Sequence, residues 1–242
     1  MSRTTRKFFL LMMSFFMMSI FTSCAEEEKE ERIIERGTLT DNSGRVYRTV
    51  RVGNKWWMAE NLSVKRFNNG DEIPFVSSQD LDDTWANIVG PGMTFTLDST
   101  VGFLYNYDCL LDARGIAPEG WRIPTDEDWK NLEKEVGMSS SEINNTGWRG
   151  QNEAPLLTSK NSLGWAPGLL FGTDEYGFDA RSSGVRIFDG RRNLSGKVAF
   201  WWTLTENGDD VWYRYIDSDQ TRIFRHYTHK NYAMAIRLVK DI

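Results

Sequence analysis

The sequence predicts an α+β domain of antiparallel strands, one or two helices and long loops. Three observations carry that prediction. Short β-branched and aromatic segments stand at both ends of the region from residue 39 to residue 242. A single stretch with helical periodicity and its own capping residues lies between them, and glycine- and polar-rich sequence fills much of the rest.

The first strands fall at residues 46–52 and 55–58, separated by Gly53-Asn54, a pair suited to a tight hairpin. Residues 102–107 read as a further strand that runs into a short helix over 109–114. The clearest helix spans 126–136. Pro124 and Thr125 open it, Thr125 and Asp128 stand at capping-box spacing, Gly137 closes it, and Trp129, Leu132 and Val136 share one face. Residues 137–197 read as long loops with brief strands. Strands follow at 198–204, 211–216 and 232–239, with another between 222 and 228. In the last of these, Tyr232, Met234, Ile236 and Leu238 alternate with Ala233, Ala235, Arg237 and Val239, which gives one apolar face and one mixed face.

Ahead of this region the chain carries an address. Arg3, Arg6 and Lys7 precede a mostly apolar run over residues 8–21, and no acidic residue occurs before Glu26. That is the layout of a secretory signal, and the run is shorter than the roughly 20 apolar residues a spanning helix needs. Phe21-Thr22-Ser23-Cys24 resembles a bacterial lipobox. The expectation is a signal peptide over 1–23 and a lipid-bearing Cys24, which anchors the chain to a membrane; an ordinary cleaved signal with an incidental cysteine is the alternative. Several acyl chains are needed because each buried methylene contributes only about 0.8 kcal/mol. Residues 24–38, beginning Ala25-Glu26-Glu27-Glu28-Lys29-Glu30-Glu31-Arg32, are too polar to bury and read as an acidic, flexible tether. Such a run resembles the surface-export signal of Bacteroidetes lipoproteins, which implies an outer-membrane lipoprotein facing the cell surface; a periplasm-facing linker is the alternative.

Composition excludes some partners. Removal of residues 1–23 lowers the 29 basic residues to 26 against 34 acidic ones, so the formal charge moves from −5 to −8. Nucleic acid is a poor partner for such a chain, because phosphate attraction supplies most of that affinity. With Cys24 lipidated, only Cys109 remains, so no intramolecular disulfide forms and packing must supply stability. Ten Trp, eight Tyr and fourteen Phe point to an aromatic-rich core.

Four ordered blocks carry a family resemblance. They are the segment ending Gly53-Asn54-Lys55-Trp56-Trp57-Met58-Ala59-Glu60-Asn61-Leu62, the segment Gly102-Phe103-Leu104-Tyr105-Asn106-Tyr107, the segment Pro118-Glu119-Gly120-Trp121-Arg122-Ile123-Pro124-Thr125, and the ending Ile236-Arg237-Leu238-Val239-Lys240-Asp241. Together they resemble the Fibrobacter succinogenes major paralogous domain of Bacteroidetes and Fibrobacteres lipoproteins, over about residues 39–242. The block from Trp121 to Trp129 is also similar to a motif of formylglycine-generating sulfatase-modifying enzymes. That likeness implies a single C-type-lectin-like domain. It does not imply their chemistry, which depends on a late cysteine pair absent here. Family members often carry a cysteine where Leu238 stands.

Residues that suit chemistry are few. His226 and His229 lie three apart, which in a strand places them on opposite faces and argues against a shared metal ion. Glu206-Asn207-Gly208-Asp209-Asp210 and Asp217-Ser218-Asp219 are oxygen-rich, so calcium is a possible ligand, but neither has EF-hand spacing and both suit hairpin turns. No other cofactor or metal is implied, and no nucleophile elbow, phosphate loop or zinc signature occurs. Cys109 reads as a small buried hydrophobe. Two features suit a ligand surface. Trp201, Trp202 and Trp212 sit on late strands, where consecutive Trp201 and Trp202 must face opposite ways. Arg191 and Arg192, with Arg181 and Arg186, cluster in loop-like sequence, where guanidinium groups suit carboxylates. The expectation is a non-catalytic module for a glycan or surface protein; the alternatives are a structural or adhesive part of a surface assembly, and an enzyme, for which no catalytic constellation is visible.

Overall fold

A computed structural model of the chain describes residues 32–242 except 77–83, 97, 162–164, 167–171 and 194–195. The signal segment, Cys24 and the tether up to residue 31 therefore lie outside the described residues. In chain order, the elements are β1 (Arg36–Thr40), β2 (Val46–Val52), β3 (Lys55–Met58), β4 (Met93–Phe95), β5 (Phe103–Asn106), α1 (Asp108–Leu111), α2 (Asp126–Glu135), β6 (Gly147–Arg149), α3 (Glu153–Leu157), β7 (Val185–Arg186), β8 (Arg192–Asn193), β9 (Val198–Asn207), β10 (Asp210–Asp217), β11 (Ile223–His229), β12 (Ala233–Met234) and β13 (Val239–Asp241). A short 3₁₀ turn, Ser99–Val101, precedes β5.

Strands hold 35% of the described residues and helices 11%, so the expected α+β, C-type-lectin-like class is corrected to a β-rich one. The strands form three antiparallel sheets, ordered β1-β2-β3-β13, β6-β11-β10-β9 and β4-β5-β12-β7-β8. The physical reason is that α2 is the only helix longer than five residues among those described.

Strand formation also starts earlier than the charge pattern predicts. β1 begins at Arg36, inside the segment read as a solvated tether, and pairs with β2 from Arg36 opposite Val50 to Thr40 opposite Val46. Burial of Leu39 and a full ladder order it. The β2–β3 hairpin forms as predicted. Gly53 takes φ +61°, and a Cβ there would lie 2.9 Å from the Glu135 side chain, so the turn needs glycine twice over.

Helix α2 follows its sequence signals. The Thr125 side chain accepts from the Asp128 amide and the Asp128 carboxylate accepts from the Thr125 amide, a complete capping box. Trp129, Leu132 and Val136 are buried, as their shared face requires.

Two hydrophobic cores result, and β9 runs between them. Trp201 enters the first with Trp57, Trp129 and Phe178, while Trp202 enters the second with Tyr105, Tyr107 and Met234. The C-terminal stretch has the same position. Residues 232–239 were expected to form one strand with one mixed face. Instead β12 pairs with β5 and β7, β13 pairs with β3, and every residue from Ala233 to Val239 is buried on both sides.

Candidate functional site

The sheet β6-β11-β10-β9 has two unlike faces, and their difference originates in alternation along each strand. Its inner face carries Arg149, Arg225 and Arg214, one from each of three adjacent strands, aimed at α2. Asp126 and Glu133, seven residues apart on that helix, receive them. Arg149 binds Glu133 through two contacts at 2.8 and 3.0 Å. Arg225 likewise grips Asp126 at 2.7 and 2.8 Å. Arg214 bridges both acids, at 2.5 Å to Glu133 and 2.8 Å to Asp126. Burial raises the Asp126 pKa, but the hydrogen bonds from Arg225 and Arg214 outweigh it and hold the carboxyl well below its usual range. All five side chains are buried, and the lattice they form pins the helix to the sheet.

The opposite face is aromatic. Trp148, Phe224, Tyr215 and Phe200 are register partners across all four strands and make one continuous row. Ring centroids are 5.0 Å apart for Trp148–Phe224, 5.6 Å for Tyr215–Phe224 and 4.4 Å for Phe200–Tyr215, the last pair stacked with planes only 10° apart. Tyr213 and His226 form a second row behind them, with the His226 ring stacked on Phe224 at 5.8 Å. All six side chains are partly exposed. Trp202 and Val211 lie on this same face but belong to the second core, against which Phe200 and Tyr213 also pack, so the face is closed at one end and becomes more open toward Trp148 and Phe224. Burial pushes Tyr213 up to about 12, and burial together with its bond to Asp217 pushes Tyr215 higher still, so both hydroxyls stay protonated at neutral pH. The rings pack against one another, Phe200 on Tyr215 and His226 on Phe224 face to face and Phe224 edge-on to Trp148 and Tyr215, and present a partly exposed aromatic surface with two tyrosine hydroxyls among them.

The predicted ligand residues lie elsewhere. Trp201 and Trp202 do face opposite ways, but neither leaves the interior, because each side of β9 has its own core. The Trp201 indole donates to Asn61 Oδ1 at 2.9 Å and the Trp202 indole to the Tyr105 carbonyl at 2.8 Å. Trp212 is half-buried, with the Arg225 guanidinium 3.6 Å over its ring and Tyr227 against its edge. The arginines of the predicted cluster are partnered within the chain to different degrees. Arg186 is interior and lies 4.7 Å over Trp85, Arg181 pairs with Asp179, and Arg191 pairs with Asp189 at 2.7 Å. Arg192 is half-exposed on β8, opposite Arg186. Trp201 and Trp202 are therefore corrected from ligand contacts to core residues, while Arg191 and Arg192 stay next to each other at the surface.

The remaining candidates are engaged within the chain. His226 lies in the aromatic plate, while His229 sits on the other face of β11 and pairs with Asp210 at 3.1 Å. Glu206 pairs with Lys230, Asp219 with Lys197, and Asp217 accepts from Tyr215 and from the Asp219 amide. Among the described residues, no group of three or more His, Cys, Asp or Glu side chains is placed to hold a metal ion. Cys109 is wholly buried, and burial pushes its thiol up to about 12.

Residues 50–240 match the model of the Fibrobacter succinogenes major domain. The chain belongs to that family. The match takes in the whole aromatic sheet, α2 and the C-terminal stretch, while β1 and the start of β2 precede it. No curated protein and no solved structure matches the chain. The aromatic plate was half legible in the sequence of this family member. Phe200, Tyr213, Tyr215, Phe224 and His226 alternate with interior residues, but alternation alone does not say which face is open.

Proposed function

We propose that this domain is a non-catalytic glycan-binding module of an outer-membrane lipoprotein, displayed on the cell surface through Cys24. The observation that carries the reading is the row Trp148-Phe224-Tyr215-Phe200, with Tyr213 and His226 behind it, six contiguous rings left partly exposed on one face of the sheet. Aromatic planes stack on the apolar face of a sugar ring, and a row of them suits successive residues of a chain. Nucleic acid bases also stack, yet that mode needs a basic groove beside the rings. Here Asp217 contacts Tyr215, Asp219 follows it, and the chain is acidic overall. The anchor reading is supported by the basic and apolar order of residues 3–21 ahead of Phe21-Thr22-Ser23-Cys24.

The testing experiment is a glycan screen of the chain with and without calcium, repeated with Trp148→Ala and Phe224→Ala. Saturable binding that weakens by tenfold or more in both variants is expected. Binding that both variants retain, or affinity for a surface protein and for no glycan, would overturn it. Calcium independence is expected, because Asp217 and Asp219 beside the plate are only two acids and, among the described residues, no group of three or more ligating side chains is placed to hold an ion.

A further inference from the structure

A concavity lies on the β4–β5 hairpin, in a different sheet from the plate. Phe75 bridges to Met93, and Phe95 stands opposite Phe103, so apolar side chains from three neighbouring segments line one groove. Ile73, Pro74, Phe75, Met93, Phe95 and Phe103 form it, and it encloses about 590 Å³. Phe75 and Phe95 meet edge to face at 4.4 Å and remain 42% and 41% exposed. Two large apolar groups left open side by side are costly to a monomer and point to something that covers them.

The rim supplies a charge. Lys65 Nζ lies 5.7 Å over the Phe103 ring, is exposed, and makes no ion pair among the described residues. Its neighbour Arg66 is neutralised by Glu72 at 2.6 Å. At the mouth of an apolar groove, an acidic chain thus keeps a cation that is unpaired among the described residues. We infer that this groove binds an organic monocarboxylate with an extended apolar body, an acyl chain in the simplest case, whose body covers Phe75 and Phe95 and whose carboxylate meets Lys65. The volume lies within the roughly 300–1,000 Å³ of small-molecule sites. A peptide added as a strand is disfavoured, because β5 occupies one edge of β4 and the Phe75 bridge meets the other.

The inference is tested by titration calorimetry of dodecanoate, dodecanol and dodecylamine, each below its micelle concentration. The protein is the full chain carrying Cys24→Ser, so that no attached lipid competes. Dodecanoate is expected to bind one-to-one, Lys65→Met to weaken it fivefold or more while leaving dodecanol unchanged, and Phe95→Ser to weaken both. Absence of saturable dodecanoate binding, equal binding of dodecylamine, or unchanged affinity in Lys65→Met would each overturn it. Lys65 is exposed and adds nothing to the core, so its variant isolates the charge.

Discussion

Arg237 is wholly buried and yet bonds to no carboxylate among the described residues. Its guanidinium donates to the carbonyls of Met58, Phe178 and Asp179 and to Asn61 Oδ1, and it lies 4.5 Å over the Phe178 ring. One side chain thereby ties the C-terminal stretch to two loops, and the same charge makes the expected mixed face of residues 232–239 an interior one. Arg237→Met would strand these buried acceptors at about 1–3 kcal/mol each, so a loss above about 3 kcal/mol is expected in urea unfolding; a loss under 1 would contradict the role. Asp174 is a residue the sequence does not single out. It holds φ +44°, accepts from the Asp179 amide, and is pushed up to about 6, chiefly by burial and then by the charge of Asp179. A carboxyl raised above its unfolded value binds its proton more tightly when folded. The stability it gives is therefore full below about pH 4 and is lost as pH rises through about 6. Asp174→Asn keeps the acceptor and suits left-handed backbone, so it should raise Tm at pH 7.5 and leave it nearly unchanged at pH 4; an equal shift at both would contradict the assignment. The tryptophans fail as site predictions for a reason of the same scale. Opposite orientation of Trp201 and Trp202 followed from the pleat, whereas the core on each side of β9 is assembled from segments scattered along the chain, from Trp57 and Tyr105 to Phe178 and Met234.

Helix α2 and the β2–β3 hairpin are the elements most legible in sequence, because their signals are local: a capping box with an apolar face, and a glycine where φ must be positive. What escaped was the use of charge. Asp126 and Glu133 look like ordinary solvated positions, and Arg149, Arg214 and Arg225 like surface residues of strands, until the sheet and helix pack and neutralise one another. Glu133→Ala leaves Arg149 and Arg214 buried without that partner and should cost about 3–5 kcal/mol, with α2 the first element to lose amide protection. A cost near 1 kcal/mol would show that the lattice is incidental. The same packing explains the aromatic plate. Once the arginine face of β6-β11-β10-β9 is committed to α2, alternation forces Trp148, Phe224, Tyr215 and Phe200 outward.

For the whole molecule, the family was legible because its blocks are contiguous, and the fold class was not, because sheet order depends on long-range pairing such as β3 with β13. The address rests on residues outside the described structure, and its prediction is simple: Cys24→Ser should move the protein from the membrane to the soluble fraction, and proteinase added to intact cells should remove the wild-type domain. Protection of the domain in intact cells would contradict display outward. The account's central claim is that the open aromatic face is the binding surface. It is tested most directly by calorimetric titration of the best glycan from the screen into wild type and a Tyr215→Ala, Phe224→Ala double variant whose fold is verified by circular dichroism. A loss of about 2 kcal/mol or more, some thirtyfold in Kd, is predicted from removal of two stacking rings. Equal affinity in a folded double variant would contradict it.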